Sequence, residues 1–540
     1  MPKKDSPFTR RSFLKTGLAA AAGAATLPIK TYAFTPAQTA KYMRYDVTTD
    51  RGKRALYSYI KGIHAMLNLP AAHPQNWFRN AFVHLMDCPH GNWWFWAWHR
   101  GYCGYFEETI RNLSGDQTFA MPYWDWTTLP EIPSNMFDDV LTPKDNAYSP
   151  YTGNLNGFTS FIQPAMQTYW NGLTTAQRNQ LNIRGYTNFG AMWNDVTGNG
   201  DPGNMAYATT ANARYLTREN PKLDPYTAGN CSKATILAGL EVLDFYNPDN
   251  SLSFSSTKTP SHTTPPGAGT KFSTLEGLPH NKVHNYIGGV GPLNPGPYGN
   301  MTNFLSPVDP IFHLHHANLD RLWDVWTRKQ QRIGKPILPT GADLQTLSDE
   351  QFLFYVNGSG QFVGPSKASE YFSMSRFNYE YQPGFPESVL ETINPRPTHA
   401  RMQVRAVGKG NGATLAVSSA AIKEHLAAPA ATLVAEVTVP HPRSGSGTRE
   451  FHVLVGAPPD VTEADPNSPF LAGTLAFFGN MAHGHATLGD VTFAVPLPKA
   501  PEAFKGLAAT NSTINIRIVP ADKRTQPPVL LKSATIRAIG

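Results

Sequence analysis

Cysteine is nearly absent from this sequence: Cys88, Cys103 and Cys231 are the only three in 540 residues. That is too few for a disulfide framework, and the spacing is not the paired one of a zinc ribbon. Cys103 and Cys231 read as small buried hydrophobes. Charge is sparse as well, with Asp, Glu, Lys and Arg at 16%. The net charge of +7 comes from Lys and Arg scattered along the chain, with no basic run beyond the first residues. A nucleic-acid partner therefore has no electrostatic footprint. Beyond the N-terminal stretch no run is long and uniformly apolar enough for a membrane span, so the mature protein is expected to be soluble.

What is present is a folding composition and an unusual supply of histidine. Apolar residues reach 41%, the balance of a globular chain, and the length leaves room for two or three domains. The opening Thr9-Arg10-Arg11-Ser12-Phe13-Leu14-Lys15, followed by an Ala/Gly-rich stretch to about Ala33, resembles a twin-arginine signal over residues 1–33. It implies the twin-arginine export machinery as a partner and a periplasmic or secreted destination. That route carries folded proteins, which suits a chain loaded with metal before export.

From about Arg44 to Tyr381 helical periodicity alternates with long Gly/Pro/Asn-rich connections. Apolar residues at helical spacing predict helices over Trp77–Met86, His99–Leu113 and Ala234–Phe245. Pro130–Pro164 and Pro248–Gly269 read as surface loops. Residues 382–398 form a Pro-punctuated linker. Beyond it, short alternating segments such as Thr432–Val439, Glu450–Val455, Val491–Val495 and Thr513–Val519 predict a C-terminal β-sandwich over 399–540.

The 17 histidines matter through their placement. His84 lies on one predicted helix, His90 in the tight Cys88-Pro89-His90-Gly91-Asn92 connection, and His99 at the start of the next helix. His280 and His284, four apart, project from one helical face, and His316 comes from a later helix. Their aromatic and apolar neighbours would desolvate both triplets, at a cost unless metal or hydrogen bonds compensate. Di-iron bundles use Glu-x-x-His pairs, which these clusters lack. Catalytic zinc needs one triplet and commonly a carboxylate. Imidazole-only donors suit copper, so two copper ions are the predicted cofactor.

Cys88-Pro89-His90 with Trp98-His99-Arg100, then Met121-Pro122-Tyr123-Trp124-Asp125-Trp126, then Pro279-His280-Asn281-Lys282-Val283-His284 with Asp309-Pro310-x-Phe312 leading to His316 and Asp320, resemble the copper motifs of the tyrosinase, catechol oxidase and hemocyanin family. The match spans residues 44–381 and closes on Tyr379-Glu380-Tyr381. It implies a mainly α dicopper domain, a four-helix-bundle core with long loops, followed here by a plant-type β-domain that covers the copper cleft in similar enzymes.

By that resemblance His84, His90 and His99 bind one copper, and His280, His284 and His316 the other. His316 is preferred to His315 because it lies four residues before Asp320. His313 stands where the family has an aliphatic or aromatic residue and reads as packed or supporting. Asp320 is expected to orient a ligand ring, and Cys88 to be joined to the His90 ring by a thioether. Glu276 and Asn281 would hold a water that takes the phenol proton. The implied reaction is oxidation of o-diphenols to o-quinones by dioxygen, with ortho-hydroxylation of monophenols. Catechol oxidation alone and hemocyanin-like oxygen binding are the alternatives. Dispersed methionines give copper storage little support. Phe477, Phe478 and Met481 are the candidates for entering the cleft.

Overall fold

The computed structural model describes residues 40–198, 205–249, 252–390, 403–428, 431–442, 449–479, 489–505, 513–522 and 530–539. The export signal, residues 391–398 of the linker and Met481 lie outside the described residues.

Side-chain caps set several helix starts. Thr49 accepts from Gly52 N–H to open α1 (Asp50–Leu67), and Asn76 accepts from Phe78 and Arg79 N–H to open α2 (Trp77–Asp87). Helix α3 (Phe95–Ser114) begins a turn earlier than the periodicity predicts, so His99 lies in its second turn; it stops at Gly115, whose φ of 77° suits glycine. The stretch expected to be loop up to Pro164 instead contains α4 (Leu155–Asn171). Asn154 caps it, and Phe158, Ile162, Met166 and Trp170 recur every fourth residue on its buried face, which outweighs the proline inside it. Helix α5 (Thr175–Arg184) follows a Thr174/Gln177 capping box. The predicted 234–245 helix ends at Glu241. A π-turn over Glu276–His280 leads into α6 (Asn281–Gly288), and α7 (Ile311–Arg332) carries the last histidines.

Helix α3 packs against both α1 and α7. Among the largest fully buried side chains are Trp77, Trp93, Trp94, Trp98, Trp124, Trp126, Trp323 and Trp326, so the histidine-bearing helices stand in an aromatic interior. Three short strands matter here: β1 (Tyr42–Arg44), β2 (Lys271–Phe272) and β3 (Tyr379–Tyr381). β1 pairs in parallel with β3, Arg44 opposite Tyr381. The buried Arg44 donates to Glu107 at 2.9 Å, to Asp320 at 3.3 Å and to the Tyr381 hydroxyl at 2.7 Å. Arg100 donates to Asp320 at 2.6 Å, and the Tyr379 and Tyr381 hydroxyls also bond that carboxylate. Asp320 thus ties both ends of the helical domain to α3. The expectation that it orients a ligand ring is corrected, because two arginines and two phenols take its oxygens.

The C-terminal part is the predicted sandwich. Its strands are β4 (Gln403–Val407), β5 (Gly412–Ala416), β6 (Leu433–Pro440), β7 (Glu450–Val455), β8 (Leu471–Ala476), β9 (Asp490–Pro496), β10 (Thr513–Pro520) and β11 (Ser533–Ala538). One sheet runs β8-β7-β10-β5 and the other β2-β9-β6-β11-β4. Val437, Val453, Phe493, Val495, Ile516 and Ile536 fill the space between them. The helical domain supplies the edge strand β2, which pairs in parallel with β9. No sequence signal announced that strand, which is two residues long. Among the described residues no helix is long and apolar enough to cross a membrane.

One buried histidine is purely architectural. His262 Nε2 lies 2.9 Å from Asp87 Oδ1 at the end of α2, and its Nδ1 lies 2.6 Å from Glu350. Burial would lower its pKa, but Asp87 and then Glu350 outweigh that and push it up to about 9. Its contribution to stability is complete below the unfolded histidine value of about 6.5 and is lost as pH rises through about 9. His262→Ala should lower stability at pH 7 by roughly 3–5 kcal/mol, the cost of breaking a buried pair. Thermal midpoints of both proteins from pH 6 to 10 check this: the gap must narrow above pH 8, and a constant gap would refute the ionic role.

Candidate metal centre

Six buried imidazoles are held by one nitrogen each or stand against one another, and the pattern identifies the other nitrogen as a donor. His84 Nδ1 bonds the Phe304 carbonyl at 2.8 Å, His99 Nδ1 the Phe95 carbonyl at 2.8 Å, and His284 Nδ1 the Met301 carbonyl at 2.7 Å. Carbonyls only accept, so these rings carry their proton on Nδ1 and a lone pair on Nε2. His280 Nδ1 lies 2.8 Å from Asn281 Oδ1, which fixes the same tautomer.

The Nε2 atoms converge. The His84 Nε2 and His99 Nε2 lone pairs face each other at 3.5 Å, and His284 Nε2 lies 3.3 Å from His316 Nε2, whose own Nδ1 has no partner. The His90 and His280 Nε2 atoms are buried without a hydrogen-bond partner. The His99 and His316 rings stack at 4.3 Å, bringing the two triplets side by side. Facing lone pairs and partnerless nitrogens in a dry interior are unfavourable unless a cation lies between them. The donor set therefore fits two metal ions. Burial lowers the pKa of all six imidazoles, that of His280 to about 3, which keeps them neutral as ligands must be.

His315 was set aside by the sequence as a neighbour, yet it brings a nitrogen within 4.8 Å of the donor atoms of His280, His284 and His316. Neither of its nitrogens has a partner. His313 belongs to neither group; it stacks flat on Phe106 with centroids 3.5 Å apart. Cys88 joins His84 and His90 in the first group, with Sγ 3.4 Å from His90 Nδ1.

Residues 54–329 match the family model described as the common central domain of tyrosinase. The chain belongs to the tyrosinase family. It is 28% identical over 322 residues to polyphenol oxidase II of Ipomoea batatas, covering 56% of this chain and 43% of that protein. It is 27% identical over 367 residues to tyrosinase HcTyr1 of a Hahella strain, covering 66% of this chain and 58% of that one. The chain thus spans about half the length of the curated relatives it matches. A solved latent apple tyrosinase shares the fold with a TM-score of 0.51 and 18% identity, over 94% of this chain and 98% of that one. A functional unit of octopus hemocyanin does so with a TM-score of 0.51 and 15% identity, over 92% and 100%.

In this tyrosinase-family chain the sandwich reaches into the metal centre. Phe478, directly beyond β8, lies 4.2 Å from the His284 ring, 4.9 Å from His90 and 5.5 Å from His280, centroid to centroid. Phe477 points the other way, into the sandwich core. Gly479 follows with φ 78°, and a Cβ there would fall 2.6 Å from the Phe304 ring, so glycine is required for the backbone to pass. Phe304 itself, 5.4 Å from His90 and 5.6 Å from Phe478, was invisible to the sequence because the Pro/Gly-rich stretch around it has no readable register.

Glu276 is buried beside the same site, accepting from Gly91 N–H and the Ser256 hydroxyl. Burial pushes its carboxyl up to about 8 against the pull of those two bonds. Asn281 bonds His280 on one side and, through Nδ2, the Ala476 carbonyl of the sandwich at 2.9 Å on the other.

The lone-pair geometry generates a prediction about metal removal. If copper binds the folded chain and not the unfolded one, loading should stabilise the fold by RT ln(1 + [L]/Kd), about 4 kcal/mol at a thousand-fold excess over Kd, and so raise the thermal midpoint. Because unfolding releases imidazoles that then take up protons, metal-free stability should also fall as pH drops below about 6.5. Calorimetry of metal-free and copper-loaded protein at pH 5 and 7 checks both; equal midpoints with and without copper would dismiss the metal centre.

Proposed function

We propose that this protein is a dicopper phenol oxidase that uses dioxygen to convert o-diphenols to o-quinones and hydroxylates monophenols at the ortho carbon. The reading rests on one observation above all: two adjacent groups of buried imidazoles whose Nε2 atoms converge, in a chain of the tyrosinase family. His84, His90 and His99 are assigned to one copper and His280, His284 and His316 to the other. The 3.3 Å approach of His316 Nε2 to His284 Nε2 favours His316 over His315. Bound there, two copper ions supply the exchange of two electrons with dioxygen.

The chain supplies the rest. The carbonyls of Phe95, Met301 and Phe304 hold the Nδ1 protons and so orient the rings. Phe304, Phe312 and Phe478 keep water from the imidazoles. A monophenol must lose its proton before it is hydroxylated, and Glu276 with Asn281 is assigned to the water that takes it. A buried carboxyl with its pKa near 8 suits a group that accepts a proton near neutral pH. Phe478 lies against the His90, His280 and His284 rings, which supports a latent enzyme with the C-terminal domain as its lid. The Arg10-Arg11 signal supports export to the periplasm or beyond by the twin-arginine machinery.

Oxygen uptake with a diphenol and a monophenol, before and after mild detergent or acid, is the direct test. The intact copper-loaded protein should be slow, opening should raise the rate without changing copper content, and His84→Ala or His316→Ala should abolish it. Reversible oxygen binding with no quinone would instead support a carrier, whose fold the hemocyanin unit shares. Quinone from diphenols alone would support a catechol oxidase.

The 3.4 Å approach of Cys88 Sγ to His90 also supports the thioether. Burial pushes this thiol up to about 12 although Arg184 pulls it down, so a free Cys88 would escape alkylation in the folded protein in any case. The test is therefore run after unfolding: the peptide holding both residues should be lighter by about two hydrogens and take no alkylating reagent. A labelled Cys88 in copper-loaded protein rules the bond out.

A further inference from the structure

The run that ends in Phe478 touches α6 through its backbone as well as through that ring. Ala476 O accepts from Asn281 Nδ2 at 2.9 Å, and Phe477 O accepts from Asn285 Nδ2 at 3.2 Å. Asn285 also donates to Glu450 Oε1 at 3.2 Å, and Glu450 Oε2 lies 2.7 Å from Lys282 Nζ, an ion pair with both side chains buried. Three polar residues of the helix that starts beside His280 thus find hydrogen-bond partners in the sandwich. Since a carbonyl can only accept, Ala476 decides which end of the Asn281 amide faces the lid, and Oδ1 is turned to His280 Nδ1. The amide is held at both ends.

We propose that the C-terminal domain silences monophenol chemistry through Asn281, independently of the Phe478 ring. While the Ala476 carbonyl is in place, the amide stays fixed between His280 and the lid and does not turn to hold a water beside Glu276. A diphenol then needs only the Phe478 ring to move, whereas a monophenol needs strand β8 to withdraw. The inference rests on the proposed roles of Glu276, Asn281 and the lid.

Full-length, copper-loaded protein distinguishes these steps. Phe478→Ala removes the ring and leaves the Ala476 carbonyl; Phe478→Leu serves if that variant folds poorly. Glu450→Gln leaves Lys282 buried without its partner charge and so favours lid opening; mild detergent is the second way to open it. Hydrogen exchange of the peptide covering Leu471–Ala476 reports lid position without reference to activity, and Asn281→Ala should speed that exchange by removing the bond to Ala476. The Phe478 variant should oxidise diphenol at least about ten-fold faster than the intact chain, with monophenol turnover and exchange unchanged. The opened protein should show faster exchange and a rise on both substrates. If the Phe478 variant gains on both substrates by the same factor, or on neither, the proposal is overturned. If the protein is open by exchange and oxidises diphenol but still turns over no monophenol, the water-holding roles of Glu276 and Asn281 fall, and this inference with them.

Discussion

A neutral imidazole has one donor nitrogen and one acceptor nitrogen, and burying it obliges the fold to answer for both. That requirement organises the centre of this protein. Backbone carbonyls from α3 and from the loop between α6 and α7 take the Nδ1 protons of His84, His99 and His284. The loop before α7, which carries no histidine of the two triplets, is therefore as necessary as the helices that do, since Met301 and Phe304 set two of the rings. The acceptor nitrogens are left facing one another, an arrangement a metal ion relieves. Aromatic packing makes the same demand from the other side: tryptophans fill the interior around these helices and leave the imidazoles no water to turn to.

The second organising feature is that the sandwich completes the polar surface of α6. Asn281, Lys282 and Asn285 are buried, and each finds its partner in β7, β8 or the residues just beyond β8. Asn230 adds a further tie, exchanging hydrogen bonds with the Thr474 backbone on both its donor and acceptor sides. Strand β2 continues the sheet of the sandwich from within the helical domain. Such an interface is held by directional bonds as much as by apolar area. Removing one partner leaves a buried donor or charge unsatisfied, which costs about 1–3 kcal/mol for a neutral group and more for a charged one. The placement of Phe478 is a product of that bonding, because Phe477 on the opposite face anchors the strand in the sandwich core.

Much of this architecture was legible beforehand, for reasons that lie within single segments. Helical spacing marked α2 and most of α3, alternation marked β6, β7, β9 and β10, and the motif spacing brought forward His84, His90, His99, His280, His284 and His316 as one chemical set. Local patterns misled where a long-range contact decided the outcome. Pro164 suggested loop, but the buried face of α4 overrode it; Asp320 looked like a partner for a histidine one turn away, but Arg44 and Arg100 reached it first from β1 and α3.

The sequence by itself determined the donor chemistry, the order of the two histidine triplets, the helical and β character of the two halves and the family, because these depend on residue type and short spacing. Only the tertiary structure decided which nitrogen of His84, His99, His280 and His284 carries the proton, that His315 sits with the second group while His313 packs on Phe106, that Phe478 and not Phe477 meets the histidines, and that Asn281 is shared between His280 and the lid. Most of these turn on contacts between residues far apart in the chain, such as 17 residues for His284 and Met301, 195 for Asn281 and Ala476 and 220 for His84 and Phe304, and no local periodicity encodes the angle at which such partners meet.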